Sequence, residues 1–111
     1  MTLASEAFDG SKENARQVTE TEQADLLKHI PSWQTVLEEG ASKLKREYKF
    51  KNFVEALAFT NKVGNLAESE DHHPDILLEY GKATVTWWSH NIKGLHRNDF
   101  IMAARTDGLY E

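Results

Sequence analysis

The sequence predicts an α+β domain, with a four-stranded antiparallel sheet and helices packed on one face, in the order α-β-β-α-β-β-α. The prediction rests on two features of the chain. Two segments alternate with the period of β-strands and are each divided by a glycine, which is typical of hairpins, and each is followed by a segment with the apolar period of an α-helix. A sheet with helices on one face is the simplest arrangement that buries both kinds of apolar surface.

The first segment, residues 1–18, has no sustained apolar period and is rich in Ser, Glu, Lys and small residues. We expect it to be a flexible N-terminal arm, and residues 19–111 to form a single domain. After the arm, Thr21 is a candidate N-cap for a short helix that Pro31 ends. The apolar residues of this helix are Ala24, Leu26, Leu27 and Ile30.

The first predicted hairpin joins strands of about residues 33–38 and 43–50 through a turn at Glu39-Gly40. Alternate side chains of its second strand share a side of the sheet. One side carries Leu44, Arg46, Tyr48 and Phe50. The other side, which we interpret as a solvated face, carries Lys43, Lys45, Glu47 and Lys49.

A longer helix is predicted over about residues 52–70. Asn52 followed three residues later by Glu55 is typical of a capping box at its start. Its apolar stripe is broad, and consists of Phe53, Val54, Leu57, Ala58, Phe59, Val63, Leu66 and Ala67. Two interpretations stay open: the stripe is buried within the core of the chain, or part of it also serves a subunit contact.

The second predicted hairpin joins residues 75–80 and 82–90 about Gly81. In its second strand Ala83, Val85 and Trp87 point one way, and Thr84, Thr86, Trp88 and His90 point the other. Residues 95–106 are predicted to form the last helix, with Gly108 just past its end. Asp99 lies near the N-terminus of that helix, where a negative charge is favoured.

The composition argues against several classes of function. A net charge of −5 disfavours nonspecific binding to nucleic acid or to an anionic membrane. The absence of cysteine excludes disulfides, thiolate zinc sites and cysteine nucleophiles. No apolar run approaches the roughly 20 residues that span a bilayer, and the acidic first residues exclude a secretory signal. We therefore expect a cytoplasmic protein with no nucleic-acid or membrane partner.

Residues 68–75, Glu-Ser-Glu-Asp-His-His-Pro-Asp, are the strongest candidate for chemistry. Histidine both gives and takes protons near neutral pH, so His72 and His73 among four carboxylates form a candidate acid–base site. If the helix continues, Glu68 and His72 meet on one of its faces. Two alternatives stay open: a zinc site, which adjacent rings without a thiol disfavour, and loop histidines without a chemical role. His29 and His96 are interpreted as structural.

A longer constellation extends this segment. It consists of Glu68-x-x-Asp71-His72-His73-Pro74, then Tyr80, His90, Gly94-Leu95 and Asp99. It closely resembles the signature of the pterin-4a-carbinolamine dehydratases. The similarity extends upstream to Arg46-x-Tyr48-x-Phe50-x-x-Phe53 and covers roughly residues 33–107.

The resemblance implies a hydro-lyase that dehydrates 4a-hydroxytetrahydropterin to quinonoid dihydropterin and so recycles the pterin, without a metal or organic cofactor. It implies that His72, His73 and His90 are the catalytic histidines. Our hypothesis is that His72 and His90 transfer the protons while His73 holds the ring. The implied substrate-binding residues are Glu68, which would orient His72 or contact the substrate, Asp71, Trp88, Ser89, Asn91 and Asp99.

The sequence departs from the vertebrate members at two positions. Ile76 stands where those members carry an aromatic residue, and Trp88 replaces a small polar residue, which leaves the substrate preference open. The resemblance also implies a homodimer or homotetramer assembled through sheet edges and helices. Two alternatives to catalysis are a dimerisation or coactivator module, as in some vertebrate relatives, and a pterin-binding protein without turnover.

Overall fold

One antiparallel sheet with the strand order β1-β2-β4-β3 carries the helices on one face. The computed structural model describes residues 2–11 and 15–110. In chain order the elements are α1 (Glu20–Leu27), β1 (Gln34–Glu38), β2 (Ala41–Lys49), α2 (Phe53–Glu70), β3 (Asp75–Glu79), β4 (Lys82–Trp87) and α3 (Arg97–Asp107), with short 3₁₀ turns at Leu3–Ser5 and His90–Ile92. The predicted fold class and element order are confirmed.

Both hairpins turn where the sequence predicts. Glu39 and Gly40 have φ angles of 53° and 79°, and Glu38 pairs with Ala41 across the two-residue turn. Positive φ at both central residues is the conformation whose twist matches the flanking strands. Gly81, with a φ of 69°, closes the β3–β4 turn.

The core lies between the sheet and the two longer helices. The sheet contributes Leu44, Tyr48, Val85 and Trp87; α2 contributes Phe59, Val63 and Ala67; and α3 contributes Phe100, Ile101, Met102 and Ala103. The predicted apolar sides of β2 and β4 are therefore the core sides. The stripe of α2 is divided, because Phe53, Val54 and Leu57 are 42%, 73% and 40% exposed.

The predicted cap of α1 is wrong by two residues. Thr19, and not Thr21, is the N-cap, since its side chain accepts a hydrogen bond from the Glu22 backbone N–H at 3.1 Å. The Glu22 carboxylate in turn accepts from the Thr19 N–H at 2.9 Å. This reciprocal capping box requires a glutamate three residues after the cap, and Thr19 is the residue that has one.

Lys43 departs from the predicted solvated face, because it is only 3% exposed. The Trp88 ring lies over its ammonium group at 3.9 Å, and Glu38 and Glu39 lie 3.6 and 3.8 Å from it. The Trp88 side chain thus covers one end of the otherwise polar face of β2. The favourable contact between a cation and a tryptophan face accounts for this burial.

Strand β4 is shorter than predicted and ends at Trp87, not at His90. The Ser89 N–H donates to the Gly94 carbonyl at 2.9 Å, which closes a loop over the residues between them. His90 therefore begins a 3₁₀ turn instead of ending a strand. Hydrogen bonding within this loop replaces the ladder hydrogen bonds that a longer strand would need.

Asp107 ties the end of α3 to the sheet. Its Oδ1 accepts hydrogen bonds from Trp33 Nε1 at 2.9 Å, Arg46 Nη1 at 2.7 Å and the Tyr48 hydroxyl at 2.5 Å. Burial and this contact with Asp107 raise the pKa of Tyr48 well above its ordinary value. These three hydrogen bonds position the C-terminal end of α3, whereas the N-terminal end of this helix faces the candidate site.

Candidate active site

The end of α2 decides where the two adjacent histidines point. Asp71 caps the helix in the left-handed conformation, with a φ of 50°, and Pro74 keeps the following chain extended. His72 therefore leaves the helix instead of continuing it. The expected meeting of Glu68 and His72 does not occur; Glu68 Oε1 lies 2.6 Å from His73 Nε2 instead.

His72 is held on three sides. Its Nε2 lies 2.6 Å from Asp99 Oδ1, across 27 positions of sequence. Its ring stacks on Trp87, with centroids 5.5 Å apart and planes at 17°. Phe8 from the N-terminal arm contacts it at the same centroid distance with planes at 51°. These contacts fix both the position and the rotation of the imidazole.

Asp99 is fully buried behind this histidine. Its Oδ2 accepts from the Ser89 hydroxyl at 2.8 Å and from the His96 backbone N–H at 2.9 Å. The second of these bonds caps the first turn of α3, and the carboxylate lies near the helix N-terminus as predicted. A carboxylate that receives three hydrogen bonds is satisfied as an acceptor-only group.

The contact with the Asp99 carboxylate favours one tautomer of the His72 ring. When Nε2–H donates to the carboxylate, Nδ1 is left to accept or release a proton. No hydrogen bond to Nδ1 is present within the described part of the chain. A histidine oriented by a buried carboxylate in this way is equipped for general acid–base chemistry.

A cavity of about 370 Å³ lies beside His72, in the size range of small-molecule sites. Of the residues predicted to bind substrate, Asp71, Ser89 and Asn91 line it. The other described residues of its wall are Phe8, Asp9, Gly10, Ser11, Ala15, Glu70, Ile92, His96 and Asn98. The described part of the wall is predominantly polar, and Phe8 is its one aromatic ring besides the imidazoles.

The other two predicted catalytic histidines have different surroundings. His73 is half exposed and pairs with the exposed Glu68. His90 is exposed and stacks on Trp88 with centroids 4.0 Å apart, and Trp88 in turn covers Lys43. The described wall of the cavity includes none of His73, His90 and Trp88. The shared catalytic role of the three histidines stays a prediction.

Several residues of the cavity wall were not predicted from the sequence, among them Phe8, Asp9, His96 and Asn98. His96 was interpreted as structural, and its Nδ1 does accept the Asn98 N–H at the start of α3, but it also lines the cavity. Phe8 had one available signal, because it is the only aromatic residue before Trp33. A solitary aromatic residue in a polar arm indicates a docking contact.

Within residues 2–11 and 15–110, no group of three or more histidine, aspartate or glutamate side chains is arranged to hold a metal ion. No helix in the same part of the chain has the length and apolarity needed to cross a membrane.

Known proteins resemble this chain over most of its length. The family model described as pterin 4 alpha carbinolamine dehydratase matches residues 16–109. A Marinobacter nauticus protein, provisionally named pterin-4-alpha-carbinolamine dehydratase, is 57% identical over 108 residues, which are 97% of each chain.

Two solved structures share the fold. The crystal structure of a transcriptional coactivator/pterin dehydratase from Brucella melitensis has a TM-score of 0.79 and 30% identity, over 86% of this chain and all of that one. A pterin dehydratase-like protein identified as a RuBisCO assembly factor in the alpha-carboxysome has a TM-score of 0.60 over 70% of this chain and 88% of its own. At 23% identity, the second likeness shows the fold alone.

Proposed function

Since the chain belongs to the pterin 4 alpha carbinolamine dehydratase family, we propose that it removes water from 4a-hydroxytetrahydropterin to give quinonoid dihydropterin. The reaction is that of a hydro-lyase and returns the pterin to a form that can be reduced again. The observation that carries this proposal is the oriented His72–Asp99 pair at a cavity of substrate size. We further propose that the reaction uses no metal or organic cofactor.

The chemistry requires two proton transfers. The bond between C4a and the hydroxyl oxygen breaks, and the oxygen leaves as water after it receives a proton. The N5–H proton is removed, and its electron pair forms the N5=C4a double bond. One group must therefore act as an acid and another as a base, and positioned groups of this kind typically contribute about 10²–10⁴-fold.

His72 is our candidate for one of these transfers, because Asp99 holds its Nε2 and leaves Nδ1 for the substrate. His90 stays our candidate for the second transfer. Its neighbours Ser89 and Asn91 line the cavity, so its backbone adjoins the site. We propose that His73, paired with Glu68, holds the pterin ring from the outside.

Polar groups around the cavity suit the edge of a pterin, which carries amide-like donors and acceptors. Asp71, Ser89 and Asn91 are the predicted substrate-binding residues that line it. Glu68 and Trp88 act in this proposal through the histidines that they contact. Asp99 acts from behind His72, as a buried carboxylate that sets the tautomer of the catalytic imidazole.

We propose that the chain assembles as a homodimer or homotetramer. Phe53, Val54 and Leu57 form an exposed apolar patch at the start of α2, and an exposed patch of this kind is typical of an interface. The outer strands β1 and β3 present unpaired edges. Both features fit self-association through helices and sheet edges.

An interaction module without turnover is the alternative function. The Brucella melitensis protein, at 30% identity, is described as a transcriptional coactivator as well as a pterin dehydratase. The same apolar patch on α2 would then contact a different protein. The oriented histidine favours catalysis, because a docking surface on α2 has no need of a buried Asp99–His72 pair.

Stopped-flow dehydration of 4a-hydroxytetrahydropterin tests the proposal. We expect the wild type to accelerate the reaction above buffer, and His72→Ala to lower kcat by about 10²-fold or more. His29→Ala is the matched control, since His29 is an exposed histidine outside the cavity wall. A wild-type rate equal to that of buffer would contradict the enzyme assignment and favour the interaction module.

A further inference from the structure

The described arm, residues 2–11, is fastened to α3 along its length. The Arg97 guanidinium binds the Glu6 carboxylate through Nε at 2.5 Å and Nη2 at 2.8 Å. This contact with Arg97 lowers the pKa of Glu6 below its ordinary value. Arg105 donates to the Ala4 carbonyl at 3.1 Å and to the Glu6 carbonyl at 2.8 Å. Leu3 is buried beside these contacts.

The last part of the arm pairs with Asn98, two residues after the histidine cap of α3. Asp9 N–H donates to Asn98 Oδ1 at 3.0 Å, and Asn98 Nδ2 donates to the Asp9 carbonyl at 2.6 Å. These two bonds join positions 89 residues apart. They place Phe8, one residue before Asp9, against the His72 ring. The arm thus reaches the cavity through contacts made on both sides of Phe8.

Phe8 is an aromatic side chain in a cavity wall that is otherwise mostly polar. The wall elsewhere offers mostly hydrogen-bonding groups, such as Asp71, Ser89 and Asn91. These groups suit the edges of a flat heterocycle but not its face. An aromatic ring is the natural partner for such a face, because offset and edge-to-face contacts between rings are favourable.

Building on the proposed function, we propose that Phe8 and the next three residues of the arm form the outer wall of the pterin site and that Phe8 is a specificity-determining residue that contacts the face of the pterin ring. Phe8 makes this contact both in the bound substrate and in the transition state. Its loss therefore weakens binding of both alike, which raises KM and leaves kcat nearly unchanged.

The experiment compares Phe8→Ala, Phe8→Tyr and the control Ser5→Ala in steady-state dehydration of 4a-hydroxytetrahydropterin. Ser5 is an exposed residue of the same arm outside the cavity wall. We expect Phe8→Ala to raise KM on the order of tenfold with kcat within twofold of wild type, as loss of an aromatic contact implies. Phe8→Tyr restores KM because it keeps the ring, and Ser5→Ala matches the wild type.

A second measurement separates this inference from the proposed function. Isothermal titration with 7,8-dihydropterin reports binding without turnover, and we expect Phe8→Ala to raise its Kd by the same factor as KM. If the wild type dehydrates the substrate, and Phe8→Ala has the same KM and the same Kd as the wild type, the inference is overturned. If the wild type fails to dehydrate, the titration decides: weaker binding by Phe8→Ala supports the aromatic wall, and equal binding refutes it.

Discussion

Replacing Asp99 by asparagine is the sharpest test of how the site is built. The substitution keeps the shape of the side chain but leaves one carbonyl oxygen for three donors: His72 Nε2, the Ser89 hydroxyl and the His96 backbone N–H. The backbone N–H cannot be reoriented, so we expect the asparagine oxygen to face His96 and Ser89. Its NH₂ group then faces His72, and the ring must accept a hydrogen bond at Nε2.

This change moves the ring proton from Nε2 to Nδ1, which removes the lone pair that the proposal assigns to proton transfer. A wrong tautomer with intact geometry costs about 10⁴-fold in a Ser-His-Asp triad. General acid–base catalysis as a whole typically contributes about 10²–10⁴-fold. We therefore expect kcat of Asp99→Asn to fall by about 10²–10⁴-fold.

The effect on stability should be smaller. Three hydrogen bonds lose the assistance of a charge, which typically makes each of them stronger by about 1 kcal/mol, while the neutral amide is less costly to bury than a carboxylate. We expect the free energy of unfolding to fall by about 1–3 kcal/mol. Because domains are typically stable by about 5–15 kcal/mol, the variant should remain folded.

Asp107→Asn is the matched control at the other end of α3. Asp107 also receives three hydrogen bonds, from Trp33, Arg46 and Tyr48, but it lies outside the wall of the cavity. Stopped-flow dehydration and urea unfolding of both variants give the comparison. We expect similar losses of stability and a loss of kcat in Asp99→Asn alone. Equal kcat in the wild type and Asp99→Asn would refute the tautomer argument.

Three further predictions concern assembly, pH and a turn. Val54→Glu, in the exposed patch of α2, should reduce the fraction of oligomer measured by light scattering. Asn65→Glu, at an exposed polar position of the same helix, should leave that fraction unchanged. A monomeric wild type would contradict the assembly proposal. Burial and Asp107 raise the pKa of Tyr48, so its contribution to stability is complete below pH 10 and declines as pH rises above it, because the unfolded chain then releases the proton first. Urea unfolding between pH 8 and 11 should show this decline and a shallower one in Tyr48→Phe; identical slopes would exclude Tyr48 as its source. Gly81→Ala should lower the free energy of unfolding by about 1–2 kcal/mol because of the positive φ at this position. The loss should exceed that of Gly40→Ala. A Cβ at Gly81 would lie 3.0 Å from the Phe50 carbonyl oxygen, whereas a Cβ at Gly40 would have no described heavy atom of another residue within 4 Å, apart from its chain neighbours.

The order of helices and strands was readable from the sequence because it depends on neighbours in the chain. A period of two or 3.6 residues, a glycine between strands and a proline after a helix act within a few positions. The Glu39-Gly40 and Gly81 turns and the long helix after Asn52 are cases of this kind. The cap at Thr19 was also available in principle, since its partner Glu22 is three residues away.

The arrangement of the site depended on contacts that no local pattern contains. Asp71 adopts the left-handed conformation, and Glu68 therefore contacts His73 instead of His72. Lys43 was buried because Trp88, which directly follows β4, lies over it. The first outcome depends on the conformation of one residue at the end of α2, and the second on the packing of segments that lie far apart in the sequence.

By itself the sequence determined the α+β class and the hairpins, and it singled out His72 and Asp99 as candidate site residues. Only the tertiary structure paired those two residues across 27 positions and brought Phe8 to the same ring from the other end of the chain. The physical reason is that periodicity and capping are local, while the burial of Asp99 and the docking of the arm depend on how α3 packs against the sheet and receives the arm.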